Sequence, residues 1–224
     1  MKEIGENTVA ASNQLKETSR VFFMGSESAP KRLLIVGNSI TRHGPKPEIG
    51  WVNDWGMAAS AREKDYVHLL QDKLTAAGKN VLTMVSQMSG WEIGLDDPDV
   101  LARYPDERAF GADAILFRLG ENVPKTTDPA HFAACLRALI AHLDPKGGKV
   151  VFTTTVWEGG FRNRAITALA AERGAPLVDL TAIAHDDTLM AIGEYEHKGV
   201  AMHPSDKGMR YIADRVFTEL AKVL

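Results

Sequence analysis

Short apolar runs alternate with amphipathic segments along most of this chain. Four runs of aliphatic and β-branched residues begin at Leu33, Val81, Ala114 and Lys149, and a shorter fifth, "PLVDL", follows at 176–180. Between them, apolar residues recur every three to four positions, which is typical of helices that bury one face. The alternation predicts an α/β fold with a mostly parallel five-stranded sheet that is covered by helices on both faces.

The same pattern predicts where the helices lie. They are expected at 58–78, around 99–104, at 128–145, at 162–174 and at 205–224. Gly78 and Gly174 close two of them, and Pro129 opens a third, as glycine and proline commonly do at helix ends. The run "VFFMG" at 21–25 is open to two interpretations, a sixth strand or an apolar clamp on the core. We therefore predict an N-terminal extension over residues 1–30 and one domain over 31–224.

Composition narrows the possible partners. A formal net charge of −3 over 224 residues leaves no basic surface for nucleic acid. No apolar run is long enough to span a bilayer, so no membrane partner is expected. The first twenty residues mix charges and lack an apolar core segment, so a cytoplasmic location is expected, although secretion with a removed leader stays open. Cys135 lies in a helical pattern and is predicted to be a buried structural thiol.

Ser39 stands where the first predicted strand stops being apolar, in "LLIVGNSIT". Ligands of open α/β sheets gather beyond the carboxyl ends of such strands, which favours a nucleophile. A serine in this place is also a common helix cap. The Gly-x-Ser-x-Gly elbow is absent, because Gly37 is present but Thr41 occupies the far position.

Three later loops carry groups that would complete a site around Ser39. His203 is followed by a proline and a capped helix, which would hold its ring in place. The backbone N–H of Gly90 and the side-chain amide of Asn122 follow the second and third strands. Fixed N–H donors of this kind stabilise a developing oxyanion.

These residues, in this order, resemble the four conserved blocks of the SGNH hydrolases, the GDSL-type esterases and lipases, over about residues 30–222. The blocks are Gly37-Asn38-Ser39, Gly90, Gly120-x-Asn122 and His203-Pro204. The resemblance implies a three-layer, flavodoxin-like α/β/α sandwich and ester hydrolysis through an acyl-enzyme. It makes Ser39 the nucleophile, His203 the general base, and the N–H of Ser39, the N–H of Gly90 and the Asn122 amide the oxyanion hole. No metal and no organic cofactor is implied.

Three positions depart from the family pattern. Asn38 and Val123 stand where the family usually has aspartates in its first and third blocks. Val200 replaces the aspartate that usually lies three residues before the histidine and orients it. A backbone carbonyl near Val200 or a glutamate would then have to orient the imidazole. The candidate glutamates are Glu194, Glu196 and Glu121.

Other residues are candidates for substrate binding. Arg42 and His43, just past Ser39, are placed to contact a polar or anionic part of a substrate. The four tryptophans either line the pocket, with at least two expected there, or close the top of the core; they are Trp51, Trp55, Trp91 and Trp157. His43, His197 and His203 would be a possible metal triad, but no short-spaced ligand pair supports one, so no metal is predicted.

The sequence therefore predicts a serine esterase that hydrolyses a small or carbohydrate-borne ester, with acetyl the favoured acyl group and a Ser-His dyad or atypical triad. The alternative is a catalytically silent carbohydrate-binding protein on the same fold. A phosphate-binding module ranks last, because the chain has neither a glycine-rich loop nor a suitably placed lysine.

Overall fold

A six-stranded sheet runs through residues 20–224, the part of the chain that the computed structural model describes. The strands are β1 (Val21–Met24), β2 (Lys31–Gly37), β3 (Val81–Gln87), β4 (Ala114–Arg118), β5 (Lys149–Thr153) and β6 (Leu177–Val178). Their order across the sheet is β1-β3-β2-β4-β5-β6; β1 is antiparallel to β3 and the other pairs are parallel. The predicted α/β fold is confirmed with one strand more than the five expected.

Helices cover both faces of this sheet. They are α1 (Tyr66–Ala76), α2 (Ser89–Ile93), α3 (Pro105–Phe110), α4 (Pro129–Leu143), α5 (Phe161–Glu172), α6 (Lys198–Ala201) and α7 (Asp206–Val223). Successive side chains of a strand point to opposite faces, so Leu33 and Ile35 enter one apolar core and Leu34 and Val36 the other. The first core also contains α1 and α7, and the second contains α4 and α5. Both faces of the central strand are therefore buried, which explains its uninterrupted apolar run.

Two predicted helices are shorter than their patterns indicated. The helix predicted over 58–78 begins only at Tyr66, because the buried Asp65 is its N-cap and accepts the His68 N–H. The helix predicted at 99–104 is a 3-10 turn over Val100–Arg103, and α3 starts after it at Pro105.

The predicted N-terminal extension contains part of the sheet. Residues 1–19 of the extension lie outside the described residues. Val21–Met24 pairs with Thr83–Ser86 as the antiparallel edge strand β1, the first of the two possibilities for "VFFMG". The predicted boundary at residue 30 thus falls between β1 and β2, which both pair with β3.

The register of the strands aligns their carboxyl ends. Gly37 at the end of β2 lies opposite Gln87 of β3 and Arg118 of β4. The loops that carry Ser39, Gly90 and Asn122 therefore leave the sheet at one edge. Among residues 20–224, no helix has the length and apolarity needed to cross a bilayer.

Candidate active site

A tight turn presents Ser39 immediately after β2. A Cβ on Gly37 would lie 1.7 Å from the Thr41 hydroxyl oxygen, so only glycine fits at the start of this turn. The backbone N–H groups of Thr41 and Arg42 both donate to the Asn38 carbonyl and close the turn. No helix begins here, since the next helical residues are the 3-10 turn at Pro47–Ile49. The helix-cap interpretation of Ser39 is therefore wrong.

The Ser39 hydroxyl forms a hydrogen bond with the imidazole of His203. Ser39 Oγ lies 2.8 Å from His203 Nε2, and His203 Nδ1 lies 2.8 Å from the carbonyl oxygen of Gly199. A carbonyl oxygen only accepts hydrogen bonds, so Nδ1 carries the proton and Nε2 is left as an acceptor for the serine hydroxyl. This tautomer is the one that a general base beside a serine requires.

The loop around His203 is tied to the preceding segment by its backbone. The Ala191 N–H donates to the His203 carbonyl, and the Ser205 N–H donates to the Leu189 carbonyl. Ser205 also caps α7 by accepting the Gly208 N–H. The His203 side chain is buried, and this burial lowers its pKa to about 4. At neutral pH the imidazole is uncharged and able to accept a proton.

The position beside His203 Nδ1 is occupied by the Gly199 carbonyl, one residue before Val200. The three glutamates proposed for this role lie elsewhere or are otherwise engaged. Glu121 accepts hydrogen bonds from Asn38, Arg118 and the backbone of Val156. Glu196 is exposed and Glu194 half-buried, and neither is a hydrogen-bond partner of the His203 ring.

A buried carboxylate connects the segments that carry the predicted oxyanion donors. Glu92 lies two residues after Gly90 in α2 and is fully buried. Its Oε2 accepts a hydrogen bond from Asn122 Nδ2 at 2.6 Å, and its Oε1 accepts one from the Gly120 N–H at 2.6 Å. The side-chain amide of asparagine has two N–H donors, so the second N–H of Asn122 is not needed by Glu92.

The expectation that at least two tryptophans line the pocket is corrected, because three of the four side chains are buried. Trp51 and Trp91 have no exposed surface, and Trp55 is buried in the same core as Trp51, because their rings fill the apolar layers beneath the loops. Trp157 alone of the four is partly exposed. Its ring packs edge-on against His203 with centroids 5.4 Å apart, and its Nε1 donates to the Met202 carbonyl.

Arg42 and His43 differ in their availability to a substrate. The Arg42 side chain is buried, its Nε donates to the Asp54 carbonyl, and its guanidinium lies over the Phe22 ring. These contacts hold the Arg42 side chain within the protein, and its contact with substrate stays a prediction. His43 is half-buried with Nδ1 2.6 Å from the Gly44 carbonyl, and burial lowers its pKa. Its Nε2 is a polar atom that can form a hydrogen bond with an oxygen-containing group of a substrate.

Two further predictions concern metal binding and the cysteine. Within residues 20–224, no three His, Cys, Asp or Glu side chains are grouped so as to hold a metal ion. Cys135 is half-buried in α4 rather than fully buried, with its sulfur 3.7 Å from the Leu95 carbonyl. Partial burial raises the pKa of this thiol, so it stays protonated at neutral pH.

Comparison with known proteins identifies a family and several similar folds. A model of the GDSL-like lipase/acylhydrolase family matches residues 35–211. The fold is similar to that of LAE5, an alpha/beta hydrolase enzyme from the metagenome of Lake Arreo, Spain, with a TM-score of 0.60 and 18% identity over 88% of this chain and 97% of that one. It is also similar to TesA, with a TM-score of 0.59 and 19% identity over 87% and 100% of the two chains. The acetyl xylan esterase AlAXEase has a TM-score of 0.56 and 20% identity over 84% and 98%. No curated protein matches the sequence.

The family match covers well over half of the chain, and its span includes the serine turn, the oxyanion segments and the histidine loop. The chain belongs to the GDSL-like lipase/acylhydrolase family. It is a hydrolase that acts on ester bonds.

The sequence alone did not indicate Glu92, whereas it did predict a backbone carbonyl near Val200 beside His203, which the structure identifies as that of Gly199. Glu92 follows a tryptophan in an otherwise ordinary loop, and no spacing shows that its carboxylate is buried. The signal for this carbonyl was the missing acid at Val200, although the backbone has no residue-specific pattern that would have singled out Gly199.

Proposed function

We propose that this protein is a serine esterase in which Ser39 is the nucleophile and His203 the general base, with no carboxylate completing the pair. One observation carries the proposal, the hydrogen-bonded series from Ser39 Oγ through the His203 ring to the Gly199 carbonyl, with 2.8 Å at each contact. The distances match what proton transfer from a serine requires.

In the first half-reaction, His203 Nε2 takes the proton of Ser39 as Oγ attacks the ester carbonyl carbon. The carbonyl oxygen becomes an oxyanion, which the N–H groups of Ser39 and Gly90 and the Asn122 side-chain amide stabilise. As the tetrahedral intermediate collapses, the bond to the alcohol oxygen breaks and His203 returns the proton to that oxygen. The acyl group stays on Ser39.

The second half-reaction uses water in place of the alcohol. His203 Nε2 takes a proton from the water, whose oxygen attacks the acyl carbon, and then gives a proton back to Ser39 Oγ as the acid leaves. The imidazolium that forms in each half is stabilised by donating its Nδ1–H to the Gly199 carbonyl. A neutral acceptor stabilises this cation less than a carboxylate does.

We further propose that the substrate is a small or carbohydrate-borne ester, with acetyl as the acyl group. Trp157 packs against His203 and keeps a partly exposed ring beside it, and sugars stack well on such rings. His43 adds a polar group on the nucleophile loop. The fold similarity to an acetyl xylan esterase points in the same direction.

The test is turnover of p-nitrophenyl acetate and of acetylated xylooligosaccharides by the wild-type chain, Ser39→Ala and His203→Ala. Loss of either member of such a pair lowers kcat by about 10³-fold or more. Ser26→Ala and His142→Ala change residues outside the site and should keep wild-type turnover.

Covalent labelling separates the proposal from its alternative. A fluorophosphonate probe should form an adduct on Ser39 in the wild-type chain and not in Ser39→Ala. Unchanged turnover in Ser39→Ala would contradict the mechanism. A wild-type chain that binds xylooligosaccharides but neither reacts with the probe nor releases acetate would instead be a carbohydrate-binding protein.

A further inference from the structure

Glu92 is a buried acidic residue to which the mechanism above gives no role. Its side chain has no exposed surface, although no cation among residues 20–224 bonds to it directly. Burying a carboxylate is costly unless its oxygens accept enough hydrogen bonds. Here the bonds come from Asn38, Gly120 and Asn122, so the energetic cost of burial is offset by polar groups of the site itself.

These hydrogen bonds join three separate segments of the chain. Glu92 lies beside Gly90 in α2, Asn38 precedes Ser39, and Gly120 and Asn122 belong to the loop after β4. Asn38 Nδ2 lies 3.2 Å from Glu92 Oε1, and Asn122 Nδ2 lies 2.6 Å from Glu92 Oε2. Every segment that carries a proposed oxyanion donor therefore either includes Glu92 or donates to it.

The charges around Glu92 explain the unusual Asn38. A second carboxylate, Glu121, also accepts from Asn38 Nδ2, at 2.7 Å. Arg118 donates to Glu121 and to Asn38 Oδ1 and is the cation of this group. The aspartate that the family usually has at position 38 would be a third carboxylate against one arginine. An amide at 38 instead donates to both glutamates and accepts from Arg118.

We propose that Glu92 is a positioning residue that holds the Asn122 amide in the orientation the oxyanion requires. Asn122 itself is exposed, and an exposed asparagine side chain rotates readily about its terminal torsion. When Glu92 is ionised, its short, charge-assisted bond removes that freedom and directs one N–H to the carboxylate. The other N–H is then presented to the oxyanion. This inference rests on the proposed esterase function.

A double-mutant cycle tests whether Glu92 acts through Asn122. The variants are Glu92→Gln, Asn122→Ala and the double variant, each assayed with p-nitrophenyl acetate. Asn122→Ala removes one oxyanion donor and should lower kcat about 10²- to 10³-fold. Glu92→Gln places an amide nitrogen against either the Gly120 N–H or Asn122 Nδ2, and should lower kcat at least about tenfold with little change in KM. In the Asn122→Ala background, the same change should lower kcat by no more than about twofold.

Glu107→Gln is the matched control. Glu107 is also a fully buried glutamate, but its partners are Arg20 and Ser86, outside the site. The Glu107→Gln substitution should lower thermal stability, as removal of a buried carboxylate does, and leave kcat within about twofold of wild type. A loss of kcat in Glu107→Gln equal to that in Glu92→Gln would mean that kcat reports general destabilisation, and would overturn the proposal.

A second measurement needs no substitution at position 92. The side-chain amide protons of Asn122, identified by their absence in Asn122→Ala, should move in NMR spectra as Glu92 titrates. Burial, and next the charge of Glu121, raise the pKa of Glu92, so the midpoint should lie above the range usual for glutamate. Amide resonances that do not move between pH 4 and 9 would overturn the proposal even if Glu92→Gln does not fold.

The outcomes separate this inference from the function on which it rests. An inactive wild-type chain with no Ser39 adduct contradicts the esterase. An active wild-type chain in which Glu92→Gln lowers kcat equally with and without Asn122 leaves the esterase intact and contradicts the positioning role.

Discussion

His203 has a backbone carbonyl where related hydrolases usually have a carboxylate. Gly199 supplies that carbonyl from the short helix α6, at 2.8 Å from Nδ1. The carbonyl selects the same tautomer as an aspartate would, but it adds no negative charge that would favour the protonated ring. Burial, the largest influence on His203, is opposed by the hydrogen bond to Gly199 and only weakly by the charge of Glu121, and the pKa of the ring falls to about 4.

This low pKa predicts an esterase that stays active in acid. The base form of His203 is the neutral imidazole, which is lost only as the pH falls through about 4. The titration of His203 by itself should therefore leave log kcat/KM level from neutral pH down to about 5 and then lower it by about one unit per pH unit. The measurement is acetate release over pH 3 to 8, with Ser39→Ala subtracted as background.

Return of each acid-treated sample to pH 7 controls for irreversible unfolding. An acid limb with its midpoint near 6.5, the usual pKa of histidine, would show that the ring is more hydrated than its burial here indicates. The pH profile of Glu92→Gln distinguishes the two titrating groups. If the wild-type profile has an inflection at a higher pH than that of His203, and this inflection is absent in Glu92→Gln, it belongs to Glu92.

The N-cap residues of two helices differ in how many other segments they contact. Asp128 is exposed and caps α4 by accepting one N–H, that of His131. Asp65 is buried and caps α1 through His68, while its other oxygen accepts the Gly56 N–H from the long loop after Ser39. Asp65 thus joins a helix to the segment that supports the nucleophile turn.

The two caps should therefore differ in their contribution to stability. Asp128→Ala loses an exposed cap, which costs about 1 kcal/mol. Asp65→Ala loses a cap and also leaves the buried Gly56 N–H without its acceptor, for a total of about 3 kcal/mol. Urea unfolding of both variants measures the difference. Equal losses would show that the Gly56 contact contributes nothing.

The sheet separates two apolar cores that share the same strands. Leu70 of α1 is fully buried in one core and Leu139 of α4 in the other. Because alternate residues of β2 enter the two cores, neither core can lose its packing without exposing one face of that strand. The two layers should therefore unfold together.

We expect Leu70→Ala and Leu139→Ala each to lower the free energy of unfolding by about 2 to 5 kcal/mol in one shared transition. Ile93→Ala is the control, because this side chain is 70% exposed and should change stability by less than about 0.5 kcal/mol. Circular dichroism and tryptophan fluorescence are followed in urea. Two separate transitions in either variant would mean that the layers unfold independently.

Much of the site could be predicted from the order of small motifs. Ser39, Gly90, Asn122 and His203 follow strands or precede a capped helix, and parallel strands end at the same edge of a sheet. The contact between Ser39 and His203 follows from that rule and is present in the structure. The tryptophans were misjudged because an aromatic residue in a loop has the same local pattern whether its ring fills the core or faces solvent.

The sequence by itself determined the layers, the parallel strands and the positions of the chemistry, because hydrophobic period, helix caps and turn glycines act over a few residues. The tertiary structure decided which groups hold that chemistry in place. A backbone carbonyl beside His203 and a buried glutamate beside Asn122 depend on contacts between segments far apart in the chain. Their energies come from burial and from the geometry of single hydrogen bonds, and neither leaves a local pattern in the sequence.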